Sequence, residues 1–386
     1  MVMAVTKGYR GPAPSATPAR IRLFDLDRQQ ASIADELHEA FDAFIASGIY
    51  VKGPLMEAFE REFAAYCGVA HGIGVSSGTT GLELIYRAYG IGPGDEVIVP
   101  ANTSVATAMA VSNVGARPVI VDVDPQTANI DPACVEAAIT PRTRAVVPVH
   151  LWGRPAALNE VLAVARKHGL RVFEDASQAH GARYHGRRVG GFGDAAAFSL
   201  HPSKNLGALG DSGIVLTDDA EIATAIAEMR DLGQSARYVH TRIGTNGRLD
   251  PLHAAMLSVK LRHLDEWLAG RRAAAARYTE LFAGTPVRTP VFGPHEFAVF
   301  HLFVVEVPQR EQICAALDRE RIDWGIHYPT TIQHQGAYRD LGVAPRPTPH
   351  AAGLGERILS LPMFAELTAA ETERVAAVVL DAIGAA

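Results

Sequence analysis

Short apolar runs alternate with amphipathic stretches along the chain from about residue 30 onward. Apolar residues at helical spacing predict helices at Ala31–Ser47 and Leu55–Cys67. The elements predicted next are helix Thr79–Tyr89, strand Glu96–Val99, helix Val105–Asn113, strand Pro118–Val123, helix Pro132–Ile139, strand Ala145–Val149, helix Ala156–Lys167 and strand Leu170–Phe173. Wholly apolar strands separated by helices are typical of a mostly parallel sheet covered on both faces, which is an α/β fold.

The pattern changes after Gly191. Ala195–Leu200 and Gly213–Leu216 predict two strands joined by a loop that is too short for a crossover helix, so we expect an antiparallel or edge arrangement there. The later predicted elements are a long Arg-rich helix Leu257–Tyr278, an apolar segment Val299–Val307, and helices Arg310–Glu320 and Ala369–Ile383. We therefore expect a flexible tail (1–19), a large domain (20–260) with a mixed, mostly parallel sheet, and a smaller C-terminal α+β domain (261–386).

Composition narrows the classes of function. The 386 residues are 48% hydrophobic and 20% charged, with a formal net charge of -6, so a nucleic-acid partner is not expected. No apolar run approaches the length of a membrane span, and no membrane association is expected. The three cysteines, Cys67, Cys134 and Cys314, lie far apart, which favours neither disulfides nor zinc and fits a reducing cytoplasm. No histidine pair has HxH or HxxxH spacing, so no metal site is predicted.

Two residues at predicted strand ends carry the candidate chemistry. Asp175 follows the apolar run that ends at Phe173, and ligands collect at the carboxyl ends of parallel strands. A lone carboxylate there also suits a structural role. Lys204 follows the next strand in a loop that contains Pro202 and Gly207, where a low-dielectric pocket would favour the neutral amine that Schiff-base chemistry needs.

Comparison with the other four lysines supports Lys204. Lys7 lies in the tail, Lys52 precedes the core, Lys167 ends an exposed helix and Lys260 lies on a charged helix. Only Lys204 is therefore expected in a low-dielectric pocket.

An anion site is predicted between Ser76 and Gly81. This segment, Ser-Ser-Gly-Thr-Thr-Gly, leads directly into a helix, whose free N–H groups and positive dipole end attract a phosphate. Serine and threonine are also ordinary helix caps, so the segment is weak support when taken alone.

Taken together, these segments resemble the DegT/DnrJ/EryC1/StrS family of pyridoxal-phosphate (PLP)-dependent sugar aminotransferases. The resemblance runs from about Arg22 to the C-terminus. It rests on Ser77-Gly78-Thr79, the run from Gly92 to Pro100, the run from Glu174 to Gly181, Gly193-Asp194-Ala195, Phe198-Ser199 with Lys204, Gly244-x-Asn246-x-Arg248-Leu249-Asp250, and His327-Tyr328-Pro329. It implies the aspartate aminotransferase-type fold, which is fold type I of the PLP-dependent transferases.

The resemblance also implies roles for individual residues. Lys204 would hold PLP as a Schiff base and shuttle a proton, while Asp175 would pair with the pyridine nitrogen. Gln178 would contact the ring hydroxyl. Gly78, Thr79 and Ser199 would bind the phosphate, and Asn246 would reach in from the partner subunit of a homodimer. The remaining candidates are Ser104 beside the cofactor and, near the substrate, His180, Arg248, His327 and Tyr328.

The expected reaction moves an amino group from glutamate or glutamine to a keto-deoxysugar linked to a nucleoside diphosphate, with TDP favoured by the overall resemblance. Four departures from the family pattern concern the substrate more than the chemistry. Ser104 stands where an aromatic residue usually stacks on the pyridine ring, His334 comes one place late, and Ser212 replaces a glycine. Thr245 and Gly247 flank Asn246, where the family commonly has Tyr and Ser. Arg271 and Arg272 are expected on a solvated helix face.

Other functions stay open at this point. The acceptor could be a keto-cyclitol or a small aromatic ketone instead of a nucleotide sugar. A sugar dehydratase is the second alternative, although related dehydratases carry His in place of the Schiff-base lysine. A catalytically silent regulatory homologue is the third, and the presence of both Asp175 and Lys204 argues against it.

Overall fold

A computed structural model describes residues 19–384 of the chain. The tail predicted for residues 1–19 lies outside the described residues apart from Ala19. None of the helices within 19–384 is both long and apolar enough to cross a bilayer.

The predicted succession of helices and strands is largely confirmed. The helices are α1 (Leu26–Ser32), α2 (Ala34–Ser47), α3 (Pro54–Cys67), α4 (Gly78–Ala88), α5 (Val105–Asn113), α6 (Pro132–Ala138), α7 (Leu158–His168), α8 (Ala220–Arg230), α9 (Pro251–Leu281), α10 (Arg310–Arg319), α11 (Pro349–Arg357) and α12 (Ala369–Gly384). The strands are β1 (His71–Val75), β2 (Glu96–Pro100), β3 (Arg117–Val121), β4 (Thr143–Val146), β5 (Arg171–Asp175), β6 (Arg183–Tyr184), β7 (Arg187–Arg188), β8 (Ala195–Ser199), β9 (Gly213–Thr217), β10 (Gln234–Ala236), β11 (Val239–His240), β12 (Glu296–Phe297), β13 (Phe303–Glu306) and β14 (Ile358–Leu361).

Seven strands form a central mixed sheet in the order β1-β9-β8-β5-β4-β2-β3. The run from β8 to β3 is parallel, whereas β9 pairs antiparallel with both β8 and β1. Strands such as β2 and β9 are buried at every position because helices cover both faces of the sheet. The mostly parallel α/β sheet and the antiparallel β8–β9 pair were both predicted correctly.

A separate hydrophobic cluster surrounds the antiparallel pair β13–β14. Side chains of α10, α12 and the C-terminal part of α9 pack there around Phe303, Leu317 and Val379. Helix α9 runs without interruption from Pro251 to Leu281 and so spans the predicted boundary at residue 260. The division into 20–260 and 261–386 stays a prediction.

The prediction that Arg271 and Arg272 lie on a solvated face is wrong. Arg271 is buried, and its Nη1 donates to the carbonyl oxygens of Phe300 and Met363, at 3.1 Å each. Arg272 is half-buried and donates to the carbonyl oxygen of Ala298 at 2.9 Å. Helix α9 is covered by neighbouring segments that offer free carbonyl groups, so these guanidinium groups bind backbone and not solvent.

Candidate active site

The two side chains predicted to carry the chemistry lie at the same edge of the central sheet. Asp175 is the last residue of β5, and Lys204 lies in the loop that follows β8. Strands β5 and β8 are parallel neighbours, with Asp175 in register with Ala197. This confirms the predicted neighbouring strand ends, at the edge of the sheet where ligands of open α/β folds bind.

A cavity of about 230 Å³ opens at this edge. Its lining includes seven of the predicted site residues, namely Gly78, Thr79, Ser104, Asp175, Gln178, Ser199 and Lys204. The cavity is also lined by five polar residues that were not predicted from the sequence, namely Thr103, Ser177, His201, Ser203 and Asp211. Four of these lie within a few residues of a predicted one, so their position along the chain was the available signal.

Lys204 is held in place by its loop. Its backbone N–H donates to the carbonyl oxygen of His201 at 2.9 Å, and the neighbouring Asn205 amide donates to the carbonyl oxygen of Val299 at 2.9 Å. Burial lowers the pKa of Lys204 to about 8, while the charge of Asp175 acts in the opposite direction. Near neutral pH, an amine with this pKa is neutral far more often than an ordinary lysine, and the neutral form is the nucleophile.

The structure shows that the expectation for a second lysine, Lys260, was wrong. Lys260 was expected on a charged helix, away from any low-dielectric site, but its side chain is completely buried. Its Nζ donates to the carbonyl oxygen of Gly207 at 2.7 Å, and burial lowers its pKa to about 8 as well. Lys260 lies beneath the loop that carries Lys204, so the two lysines share one structural unit.

Asp175 is fixed through its backbone and its side chain. Its N–H donates to the carbonyl oxygen of Pro148, and its own carbonyl oxygen accepts from the N–H of His150, at 3.0 Å each. The carboxylate accepts from the Thr107 hydroxyl at 2.8 Å and from the Ser177 N–H at 3.2 Å. A carboxylate held in this way has a fixed direction toward the cavity.

The neighbouring carboxylate, Glu174, has a structural role. It is completely buried and accepts from His150 Nε2 at 2.9 Å and from three backbone N–H groups in the loop Gly190–Gly193. The contact with His150 and these N–H groups lower the pKa of Glu174 against the opposing effect of burial. His150 Nδ1 accepts from the N–H of Ala156 at 3.0 Å, which leaves Nε2 to donate to Glu174.

The segment predicted to bind an anion lies at the start of α4. Ser77 caps this helix, with its hydroxyl accepting from the Thr80 N–H at 3.1 Å. A Cβ atom on Gly78 would lie 3.0 Å from both Ser177 Oγ and Ser199 Cβ, so a larger residue would crowd these two side chains. The helix therefore presents its free N–H groups to the cavity beside the Ser199 hydroxyl, which suits a phosphate.

Gln178 is oriented by two contacts. Its Oε1 accepts from the Trp152 N–H at 2.6 Å, and its Nε2 donates to the Tyr328 hydroxyl at 3.3 Å. Trp152 in turn donates from Nε1 to the carbonyl oxygen of His327. The bond from the Trp152 N–H fixes which end of the amide is the oxygen, and Nε2 keeps a second N–H that a ligand in the cavity could accept.

The other predicted residues lie apart from the cavity lining. His180 is buried against the rings of Phe63 and Phe198, and burial lowers its pKa to about 3. Arg248 forms an ion pair with Asp231 at 2.6 Å, and His327 Nδ1 contacts Ser360 Oγ at 2.8 Å. Asn246 is exposed, as expected for a residue that would serve a partner subunit. Roles for these residues stay predictions.

Ser104 caps α5 and does not provide a stacking ring. Its hydroxyl accepts from the Ala106 N–H at 3.4 Å, at the edge of the cavity. Within residues 19–384, no cluster of three or more His, Cys, Asp or Glu side chains is arranged to hold a metal ion.

The chain is similar in sequence and structure to known proteins. The model of the DegT/DnrJ/EryC1/StrS aminotransferase family matches residues 31–380. The chain is 43% identical over 361 residues to the dTDP-3-amino-3,4,6-trideoxy-alpha-D-glucose transaminase of Streptomyces venezuelae, covering 93% of this chain and 95% of that one. It is 46% identical over 358 residues to the erythromycin biosynthesis sensory transduction protein EryC1 of Saccharopolyspora erythraea, covering 92% and 98%.

A solved structure shows a similarity of the same extent. The crystal structure of S. venezuelae DesV in complex with a ketimine intermediate superposes with a TM-score of 0.91 at 44% identity, covering 95% of this chain and 98% of that one. The similarity therefore extends over nearly the whole length of both proteins, including the strands and loops that form the cavity.

Proposed function

Since this chain belongs to the DegT/DnrJ/EryC1/StrS aminotransferase family and is thus an aminotransferase, we propose that it uses PLP to transfer an amino group from glutamate or glutamine to a TDP-linked keto-deoxysugar. One observation carries the proposal. An amine with a lowered pKa, Lys204, and an oriented carboxylate, Asp175, follow adjacent parallel strands and face one cavity.

The residues around the cavity fit PLP. The start of α4 and Ser199 would hold the phosphate, and Gly78 provides the space for close approach. Asp175 would lie at the ring nitrogen, and Gln178 would donate its second Nε2 N–H to the oxygen of the ring hydroxyl. When bound, PLP supplies an aldehyde carbon that reacts with amines and a ring that takes up an electron pair.

The side chains of this protein supply binding and proton transfer. Lys204 Nζ would be the amine that reacts with the aldehyde carbon, and it would then take up and return a proton at the substrate carbon. Asp175 would keep a proton on the ring nitrogen because a fixed carboxylate stabilises positive charge beside it. The Trp152 N–H would hold Gln178 in the one amide orientation that donates toward the ring.

The acceptor is inferred from the relatives. The S. venezuelae relative is named for a 3-amino-trideoxyglucose linked to dTDP, so we propose a 3-keto deoxyhexose on TDP as the acceptor here. The purified enzyme would be incubated with PLP, glutamate and TDP-linked 3-keto or 4-keto hexoses, with a keto-cyclitol as control. Formation of an amino sugar from the 3-keto substrate is expected. Amination of the cyclitol alone would disprove the sugar assignment.

We also propose that the enzyme is a homodimer with shared active sites. Asn246 is exposed near the β10–β11 hairpin, where Tyr238 and Ile243 are 78% and 86% exposed, so this segment presents apolar side chains that a second subunit would cover. Mixing Lys204→Ala chains with Asn246→Ala chains should restore activity that neither variant has alone, since one mixed site is intact. Absence of recovery in mixed dimers would place Asn246 outside the partner's site.

A further inference from the structure

The hydroxyl of Thr107 contacts the carboxylate of Asp175 without lining the cavity. Thr107 is completely buried, and its Oγ1 lies 2.8 Å from Asp175 Oδ2. A second hydroxyl, that of Thr103, lies 3.1 Å from Thr107 Oγ1 and is also buried. Two hydroxyl groups therefore form a chain that ends on the carboxylate.

The direction of this chain follows from the number of protons available. An ionised carboxylate can only accept hydrogen bonds, so Thr107 donates its single hydroxyl proton to Asp175 Oδ2. Thr107 must then accept in its contact with Thr103, which donates. With Ser177 N–H on Oδ1, each oxygen of Asp175 has one protein donor and keeps further lone pairs for a ligand.

The position of Thr107 depends on the start of α5. Thr103 and Thr107 are four residues apart, and Ser104 caps the helix between them. Ser104 therefore begins the helix that brings the Thr107 hydroxyl to Asp175.

We propose that Thr107 is a positioning residue that orients the Asp175 carboxylate toward the pyridine nitrogen of PLP. The inference rests on the proposed function, because it assigns a partner to the residue that would hold the ring. A buried hydrogen bond to a charged group contributes more than one between neutral groups, and its loss leaves the carboxylate free to turn.

The test measures the dissociation constant of PLP by equilibrium dialysis and the absorption spectrum of the bound cofactor. Thr107→Val keeps the side-chain shape without the hydroxyl and is expected to weaken PLP binding by about tenfold or more. Thr107→Ser keeps the hydroxyl and should stay within about threefold of the wild type. Thr372→Val is the matched control, because Thr372 is an equally buried helical threonine whose hydroxyl donates to the Ala369 carbonyl oxygen.

A double-variant cycle separates orientation of Asp175 from a general packing effect. In an Asp175→Asn background, Thr107→Val should weaken PLP binding by about threefold or less, because the charged acceptor is gone. The same loss in both backgrounds, or wild-type binding by Thr107→Val, would overturn the role of Thr107. Failure of the wild type itself to bind PLP would overturn the proposed function as well, and so is a distinguishable result.

Discussion

Lys204 and Lys260 lie in two regions that meet at the loop between β8 and β9. Lys204 is part of this loop and faces the cavity opposite Asp175, whereas Lys260 rises from α9 and donates to the carbonyl oxygen of Gly207. Burial lowers the pKa of both amines to about 8. A lowered pKa therefore does not by itself decide which of the two lysines is proposed as catalytic. Access to a cavity and to an oriented carboxylate distinguishes the two.

The largest expected difference between the two lysines is in turnover. Lys204→Met should reduce transamination by about a hundredfold to ten-thousandfold, because it removes the amine that would transfer the proton. Lys260→Met should keep activity within about tenfold, since its amine contacts backbone only. The measurement is the initial rate of amino-sugar formation at saturating PLP. Equal losses of transamination rate in the two variants would contradict the assignment of Lys204 as the catalytic lysine.

The second prediction concerns the carbonyl group that Lys260 holds. A Cβ atom on Gly207 would lie 2.4 Å from the carbonyl oxygen of Pro202 and 2.9 Å from that of His201, so Gly207→Ala must displace the loop that carries Lys204. A displacement of about 1 Å in an active site can cost about a hundredfold in rate, and we expect a loss of that size in kcat. Gly336→Ala is the control, because a Cβ atom there would meet nothing within 4 Å. Unchanged kcat in Gly207→Ala would show that the loop tolerates the shift.

The sequence predicted the part of the site that follows from strand order. Alternating apolar strands and helices indicate a parallel sheet, and this places Asp175 and Lys204 at one edge. The contacts of Thr107 and Trp152 were not predicted, because they join positions 68 and 26 residues apart and no local pattern reports them. The burial of Lys260 and Arg271 was mispredicted because charged residues on a long helix usually indicate solvent, whereas α9 is covered by neighbouring chain segments.

The third prediction concerns stability, for which the larger effect is expected at Lys260 and not at Lys204. Lys260→Ala should lower the free energy of unfolding by about 2 kcal/mol or more, because it leaves a cavity and a buried carbonyl oxygen without its donor. Lys204→Ala should change it by less than about 1 kcal/mol, because Lys204 is only half-buried and already borders the cavity. Urea unfolding of the PLP-free proteins measures both values. A larger decrease in the free energy of unfolding for Lys204→Ala would show that Lys204, and not Lys260, has the structural role.

The smallest effect is a dependence of stability on pH. The pKa of Lys260 is about 8 in the folded protein, below its ordinary value of 10.5, so between these values the unfolded chain holds a proton that the folded chain has lost. Stability contributed by this group therefore rises with pH, by about 1 kcal/mol between about pH 7.5 and about pH 9. Lys260→Met should lack this increment relative to the wild type, measured by urea unfolding at both pH values.

The same measurement at saturating PLP tests whether Lys204 and Lys260 titrate as separate groups. In the PLP-free protein Lys204 should add a similar increment, because burial lowers its pKa to the same value. PLP would engage the amine of Lys204 but leave that of Lys260 unchanged, so only the increment removed by Lys260→Met should persist when PLP is present. If PLP abolished both increments, the two amines would titrate as one coupled group, and their separation into a catalytic and a structural lysine would not hold.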